Sequence, residues 1–477
     1  MITIICLLNF AIVGATVFLP NEYLAWNSYL LYGIQACLLL PAVLLKTRYL
    51  KDLFLPTSFV LAYQLVSLTL GGYLVPRGFG HYKGYQDVVL ASTGYNLIVP
   101  FLLLTNLALF ILSCRTLRIL AVPQDLCLRH SGEPKGPARL ANFSLSIVVL
   151  IGFLFVTLAD LYSLFSFQLA LLIILFSVLS KHRVWYRYFL YLFFLGFLVQ
   201  FDNENKREII ITLFLILFLE FFYGRNRLVL NLRSIFVYAF ATAIFFTLIL
   251  TSSIMRGYGT LGATSVTEAI ESVPAYVGSA DFVDGITDNL ELNYSYGAAI
   301  VSMNMVLTGE IKYQKGLTLV KVLFLPISRE WFPAKPKGMM QLFTEAYVPE
   351  AWEDGGSLPV FFSSEMFVNF HYFGLVVYLF IMWLLNRFFI GFHNSPPQTL
   401  LYYTNLFFLI TVFPFVRGSG LEQYVLYYLC ALPVLILPIF SGMILFCAKK
   451  KRAALRKVAN LCASPVPTNA SAVPSPE

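Results

Sequence analysis

The chain has 477 residues, of which 58% are hydrophobic, 16% aromatic and only 12% charged, with a formal net charge of +8. A soluble globule of that composition would face water with far too much apolar surface, so the soluble classes are excluded and an all-α, polytopic integral membrane protein remains. Seven cysteines, scattered through apolar runs and short loops, give neither a disulfide framework nor a zinc-ligand spacing.

A helix needs roughly 17 to 25 apolar residues to cross about 30 Å of hydrocarbon. The first such run, 1–19, lacks the basic start of a secretory signal and leads straight into a second, so it is read as retained. Further runs lie near 24–45, 53–75, 97–114, 143–160, 162–180, 188–201, 208–224 and 234–254. A long polar interval separates these from three more at 371–389, 400–416 and 424–448. The pattern predicts about 12 transmembrane helices. It divides the chain into nine N-terminal transmembrane helices (1–254), one large external loop region with amphipathic helices (255–370), three C-terminal transmembrane helices (371–448) and a basic, disordered cytoplasmic tail (449–477).

Basic residues in short loops stay cytoplasmic. With both termini inside, twenty-one of the 33 lysines and arginines fall in the short cytoplasmic segments, including the tail KKKRAALRK. The positive charge therefore reads as a set of topology anchors in an anionic leaflet, with no nucleic-acid site. The other twelve sit on the external side against that bias. Lys206 and Arg207 open one helix at its outer end, Arg256 follows another, and Arg417 closes a third. Taken singly, each is as readily a side chain reaching for headgroups as a ligand-binding group. Together they aim cations at a shared vestibule, and an anion at the outer leaflet is the simplest ligand. Arginine's planar fork suits a pyrophosphate better than lysine's point charge.

The external region has two halves. Over 255–315, small and polar residues alternate with apolar patches such as 296–307, which are expected to pack over the membrane surface as amphipathic helices. Tyr258, Tyr276, Asp281, Asp284, Asp288, Tyr294 and Tyr296 are rings and carboxylates of the kind that hold sugars, though a purely structural role is the favoured reading. In the second half, the prolines of LPISREWFPAKPKG fix an extended loop that presents Arg329, Lys335 and Lys337. Downstream, Glu365 and Asn369 stand four residues apart and share one helix face. A carboxylate at that low-dielectric rim holds its proton more tightly than in water and can accept one from a substrate. The alternative is a helix-start glutamate favoured by the macrodipole. No glycine-rich nucleotide loop, HExxH or GxSxG is present, so no cofactor and no metal is expected.

The run P-x-x-R-x-x-x-P-x-K-P at Pro326, Arg329, Pro333, Lys335 and Pro336, followed by Gly355, Gly356, Pro359, Glu365, Asn369 and Gly374, resembles the external-loop signature of bacterial O-antigen and oligosaccharide repeat-unit polymerases (Wzy-type). The likeness covers roughly 320–375, and it departs at Asn369-Phe370-His371, where an N-F-G context is usual. The resemblance implies an undecaprenyl-pyrophosphate-linked oligosaccharide as donor and the end of a second lipid-linked repeat unit as acceptor. It implies catalytic roles for Glu365, Arg329 and Arg256. Pyrophosphate or glycan contacts would come from Arg417, Arg207, Lys206, Lys335, Lys337, His371, Asn369 and Glu345, with His371 or Glu345 as second choices for the base. It further implies a multi-pass protein of the bacterial inner (plasma) membrane, a periplasmic loop, and membrane lipid, a chain-length regulator and a flippase as partners. Two other readings share the membrane plan: an O-antigen ligase-type glycan transferase, and a lipid-linked oligosaccharide flippase or transporter. A lipid-monophosphate glycosyltransferase is disfavoured, because the first external loop, Pro20 to Tyr23, carries the single acid Glu22.

Overall fold

A computed structural model describes residues 2–47, 55–79, 83–120, 266–279, 292–325, 331–353 and 357–393, with isolated positions at 52, 236, 239–240, 243, 246–247, 250–251, 254, 282, 327 and 425. Every regular element among them is helical. In chain order they are α1 (Ile2–Val17), α2 (Asn21–Leu44), α3 (Pro56–Leu74, continued by a 3-10 turn Val75–Arg77), α4 (Lys83–Ala91), α5 (Tyr95–Leu120), α6 (Val266–Val277) and α7 (Leu292–Leu307). Then come α8 (Leu317–Val320, continued by a 3-10 turn Lys321–Phe324), α9 (Met339–Tyr347), α10 (Pro349–Glu353), α11 (Phe362–Phe370), a 3-10 turn His371–Phe373 and α12 (Gly374–His393).

Among the described residues, four stretches are long and apolar enough to cross a membrane: Asn21–Leu44, Pro56–Arg77, Tyr95–Leu120 and Phe362–Ile390. They overlap the runs expected at 24–45, 53–75, 97–114 and 371–389. The helix α1, at 16 residues, is shorter. The remaining expected spans, from 143–160 to 234–254 and beyond 400, lie outside the described residues or touch them only at scattered positions.

Buried amides set the register of the bundle. Gln35 of α2 donates to Asn9 Oδ1 of α1 and to the Leu103 carbonyl of α5, both at 3.0 Å, and accepts from Asn106 Nδ2 at 2.9 Å. At one end Asn386 of α12 donates to Thr57 Oγ1 of α3 at 2.9 Å and Thr116 Oγ1 of α5 at 3.0 Å. In an apolar interior such bonds select one packing, because a shifted helix leaves polar groups orphaned. Gln35→Leu removes three of these partners at once, and an unmet buried group costs about 1–3 kcal/mol. The variant is expected to melt clearly below the wild type in a detergent thermal-shift measurement; an unchanged melting point would mean the ladder carries no stability.

The stretch Phe362–Ile390 is not one rod. Ser363 of α11 accepts a bond from Gln64 Nε2 of α3 at 3.0 Å, and the Phe362 ring lies 5.5 Å from that of Tyr378 in α12. From Thr57 to Gln64 is about 10 Å of helix rise, and from Asn386 to Tyr378 about 12 Å, at 1.5 Å per residue. Phe362 and Tyr378 are therefore level, and the chain folds back on itself at 370–374. The start of α11 lies inside the bundle, about 20 Å of helix rise below Arg77. The extended approach to it is sealed: Leu358, Val360 and Phe361 are buried, and the Leu358 amide donates to Thr344 Oγ1 at 2.9 Å. Irregular backbone at such depth is tolerated where protein covers it.

The helix α7 behaves the same way, which corrects the expectation that 296–307 packs over a membrane surface. From Tyr296 to Met303 its side chains are fully or almost fully buried, so no polar face exists to meet water. Tyr296 shares a hydrogen bond with Ser28 and Ser295 one with Tyr63, both at 3.3 Å, while Asn304 accepts from the amides of Thr93 and Gly94 at the start of α5. A helix buried all round, with its polar side chains bonded inside the protein, is a core helix.

Candidate functional site

The site is built where a strap, residues 313–320, lies along α11. The strap turns through two left-handed residues, Lys315 (φ 49°) and Gly316 (φ 90°). At Gly316 space is also tight, since a Cβ would stand 3.1 Å from the Phe370 ring, which would have to give by a few tenths of an ångström. The turn lets the Gln314 amide donate to the Val368 carbonyl at 3.3 Å and the Gly316 amide to Asn369 Oδ1 at 2.9 Å. The first of these satisfies one of the carbonyls that a helix end leaves open.

Glu365 and Asn369 do share one face of α11, as their spacing predicts. Asn369 Nδ2 donates to the Glu365 carbonyl at 2.8 Å and to Thr318 Oγ1 at 2.7 Å. Thr318, having accepted that bond, donates its own proton to Glu365 Oε1 at 2.7 Å. All three side chains are buried, Glu365 at 4% exposure. The network holds the carboxylate in one orientation and sends its order outward through a strap 47 residues upstream in sequence.

His371 sits at the hairpin tip in a backbone conformation that glycine ordinarily takes (φ 54°, ψ −138°). Its ring stacks on Tyr313 at 6.2 Å and leans on Phe367 at 4.6 Å and Tyr372 at 5.0 Å. The Tyr372 hydroxyl donates to the Leu97 carbonyl at 2.6 Å, tying the tip to α5. His371 is half-buried, so of the candidate bases it is more open to a ligand than Glu365.

The basic loop is partly fixed. Lys335 Nζ donates to the Ile327 carbonyl at 2.9 Å, closing the loop on itself. Lys337 forms an ion pair with Glu345 of α9, whose other oxygen accepts from Gln341 at 2.6 Å. Glu345 is thereby committed to structure in this arrangement. Beside it on α9, burial and then the Asp87 carboxylate push the Tyr347 hydroxyl up to about 12, which keeps it neutral at physiological pH. Arg77, one of the twelve basic residues expected on the external side, lies over the rings of Tyr73 (4.1 Å) and Tyr29 (5.1 Å) and donates to the Tyr73 carbonyl at 2.7 Å. Cation–π contact accounts for its position at that end of the bundle. Arg329, Arg256, Arg417, Arg207 and Lys206 lie outside the described residues.

Thr318 carried no signal in the sequence, because LTLV reads as an ordinary apolar run. Gly316 was the available clue, a glycine closing a Lys-Gly pair before that run. Among the described residues no three His, Cys, Asp or Glu side chains converge on a point that could hold a metal ion. No protein-family model matches the chain, and no curated protein and no solved structure matches it either, so the site stands on its own residues.

Proposed function

We propose that this protein is a membrane glycosyltransferase that joins lipid-linked oligosaccharide repeat units, the donor being carried on undecaprenyl pyrophosphate. The observation that carries the reading is the Glu365–Thr318–Asn369 network, a single oriented carboxylate set where the strap meets a helix that starts inside the bundle. In the reaction the acceptor hydroxyl gives its proton to Glu365 and its oxygen bonds to the anomeric carbon. The bond from that carbon to the pyrophosphate breaks, and the electron pair leaves with undecaprenyl pyrophosphate. Developing negative charge on the leaving group calls for cations. Arg329, Arg256 and Arg417 are assigned that role, with Lys206, Arg207, Lys335 and Lys337 in support. Access to Glu365, which is 4% exposed, requires the 313–320 strap to lift.

Purified protein incubated with a lipid-linked repeat unit is expected to yield a ladder spaced by one unit, lost in Arg329→Ala. No ladder, but transfer of intact glycan to an added lipid-core acceptor, would replace the polymerase reading with a ligase. One observation favours a second reading, a lipid-linked oligosaccharide transporter: α7 and α11 both begin within the bundle, as the broken helices of transporters do. Movement of labelled lipid-linked oligosaccharide across proteoliposomes, with no ladder in detergent, would establish it.

A further inference from the structure

The outer side of the strap and the arm that continues from it share an exposed apolar stripe. Leu317, Val320, Leu323, Ile327 and Trp331 succeed one another at steps of three or four residues and are 51%, 41%, 76%, 37% and 85% exposed, with Phe332 (37%) beside them. Single exposed apolar residues need no explanation, but six within the sixteen residues from Leu317 to Phe332 mark a surface that meets something apolar. Over residues 311–338 the chain also carries six basic residues, Lys312, Lys315, Lys321, Arg329, Lys335 and Lys337, against one acid, Glu330; Lys321 is buried and Lys337 is paired with Glu345, while Lys312 and Lys315 are exposed. Basic flanks beside an exposed tryptophan and leucines are the chemistry of a segment lying in the boundary of an anionic bilayer.

Continuity points to the same occupant. Gly316, next to Leu317, packs against the Phe370 ring, and that ring lies 6.5 Å from Phe373. Phe373 opens a second exposed stripe along α12, with Val376, Phe380 and Trp383 at 57%, 57% and 44% exposure. That stripe belongs to a stretch long and apolar enough to cross a membrane. The surface offered to lipid by α12 thus runs on into the arm.

We infer that residues 317–337 are a lipid-seated arm: the stripe enters the acyl boundary of an anionic bilayer, with Trp331 near the headgroups and the basic flank on lipid phosphates. The arm continues directly from the strap that holds Asn369 and Glu365, so its seating on lipid bears on the site whichever reaction is catalysed there.

The test uses the full-length protein in vesicles of phosphatidylcholine and phosphatidylglycerol, with wild type and Trp331→Phe compared so that their difference is the Trp331 emission. Trp331 is expected to lose most of its intensity when the acyl chains carry bromine, to resist acrylamide, and to shift to the blue as the phosphatidylglycerol fraction rises. Leu323→Trp, placed in the Trp331→Phe background, is expected to repeat the bromine result from a second position. Emission open to acrylamide and indifferent to bromine would place the arm in water and overturn the inference. Protection from both quenchers would mean a second copy or another part of the chain covers it, which overturns it equally. Insensitivity to phosphatidylglycerol would remove the role given to the basic flank.

Discussion

Glu365→Gln is expected to leave the protein folded and to cut ladder formation by about a hundredfold or more, within the range lost when a general base is removed. The fold survives because the bond that matters to packing runs from Thr318 to Glu365 Oε1, and a glutamine carbonyl accepts it in the same place. Asn369 is untouched, since it bonds the backbone carbonyl of residue 365 and not the side chain. What glutamine lacks is the capacity to take a proton. Thr318→Val separates orientation from proton transfer: the carboxylate remains while its hydrogen bond is gone, and an intermediate loss of activity is expected. The measurements are the rate of ladder growth and the melting point of each variant in the same detergent. Wild-type ladders from Glu365→Gln would reduce the network to a pin between strap and hairpin, and would pass the base role to His371, the half-buried imidazole at the tip.

Gly374→Ala is expected to be the most destabilising single methyl addition among the described glycines. A Cβ there would stand 2.2 Å from the Met366 carbonyl oxygen and 2.6 Å from its carbon, with the Phe367 nitrogen at 3.1 Å. The backbone angle is not the reason, because Gly374 has an ordinary helical φ of −54°. The reason is space. The obstructing atoms are backbone, which cannot swing aside, so α11 must part from α12 and pull on the Gln64–Ser363 bond and the strap. Overpacking of this severity costs about 3 kcal/mol or more. Gly14→Ala is the control: nothing lies within 4 Å of its Cβ, and it sits within α1, where alanine is favoured by up to about 1 kcal/mol. Size-exclusion profiles and melting curves should show Gly374→Ala shifted strongly and Gly14→Ala barely. A normal melting curve for Gly374→Ala would mean that the hairpin does not close as tightly as described.

The two variants probe opposite kinds of information. The common face of Glu365 and Asn369 was legible from spacing, because a helix repeats every 3.6 residues whatever surrounds it. The hairpin was not legible, because the spacing of residues in Phe362–Ile390 is the same whether the helix continues past His371 or doubles back there.

By itself, the amino-acid sequence determined the helical class and the positions of the apolar stretches at Asn21–Leu44, Pro56–Arg77 and Tyr95–Leu120, since length and composition are local properties. It also determined which polar residues share the face of α11. Only the tertiary structure decided that α7 is interior, that α11 rises from within the bundle, and that Thr318 is the partner of Glu365. The physical reason is that hydropathy records the gain from leaving water and is blind to whether lipid or protein receives the side chain. Contacts between Tyr296 and Ser28, or Thr318 and Glu365, join residues far apart in the chain, and no periodicity within either segment encodes the other.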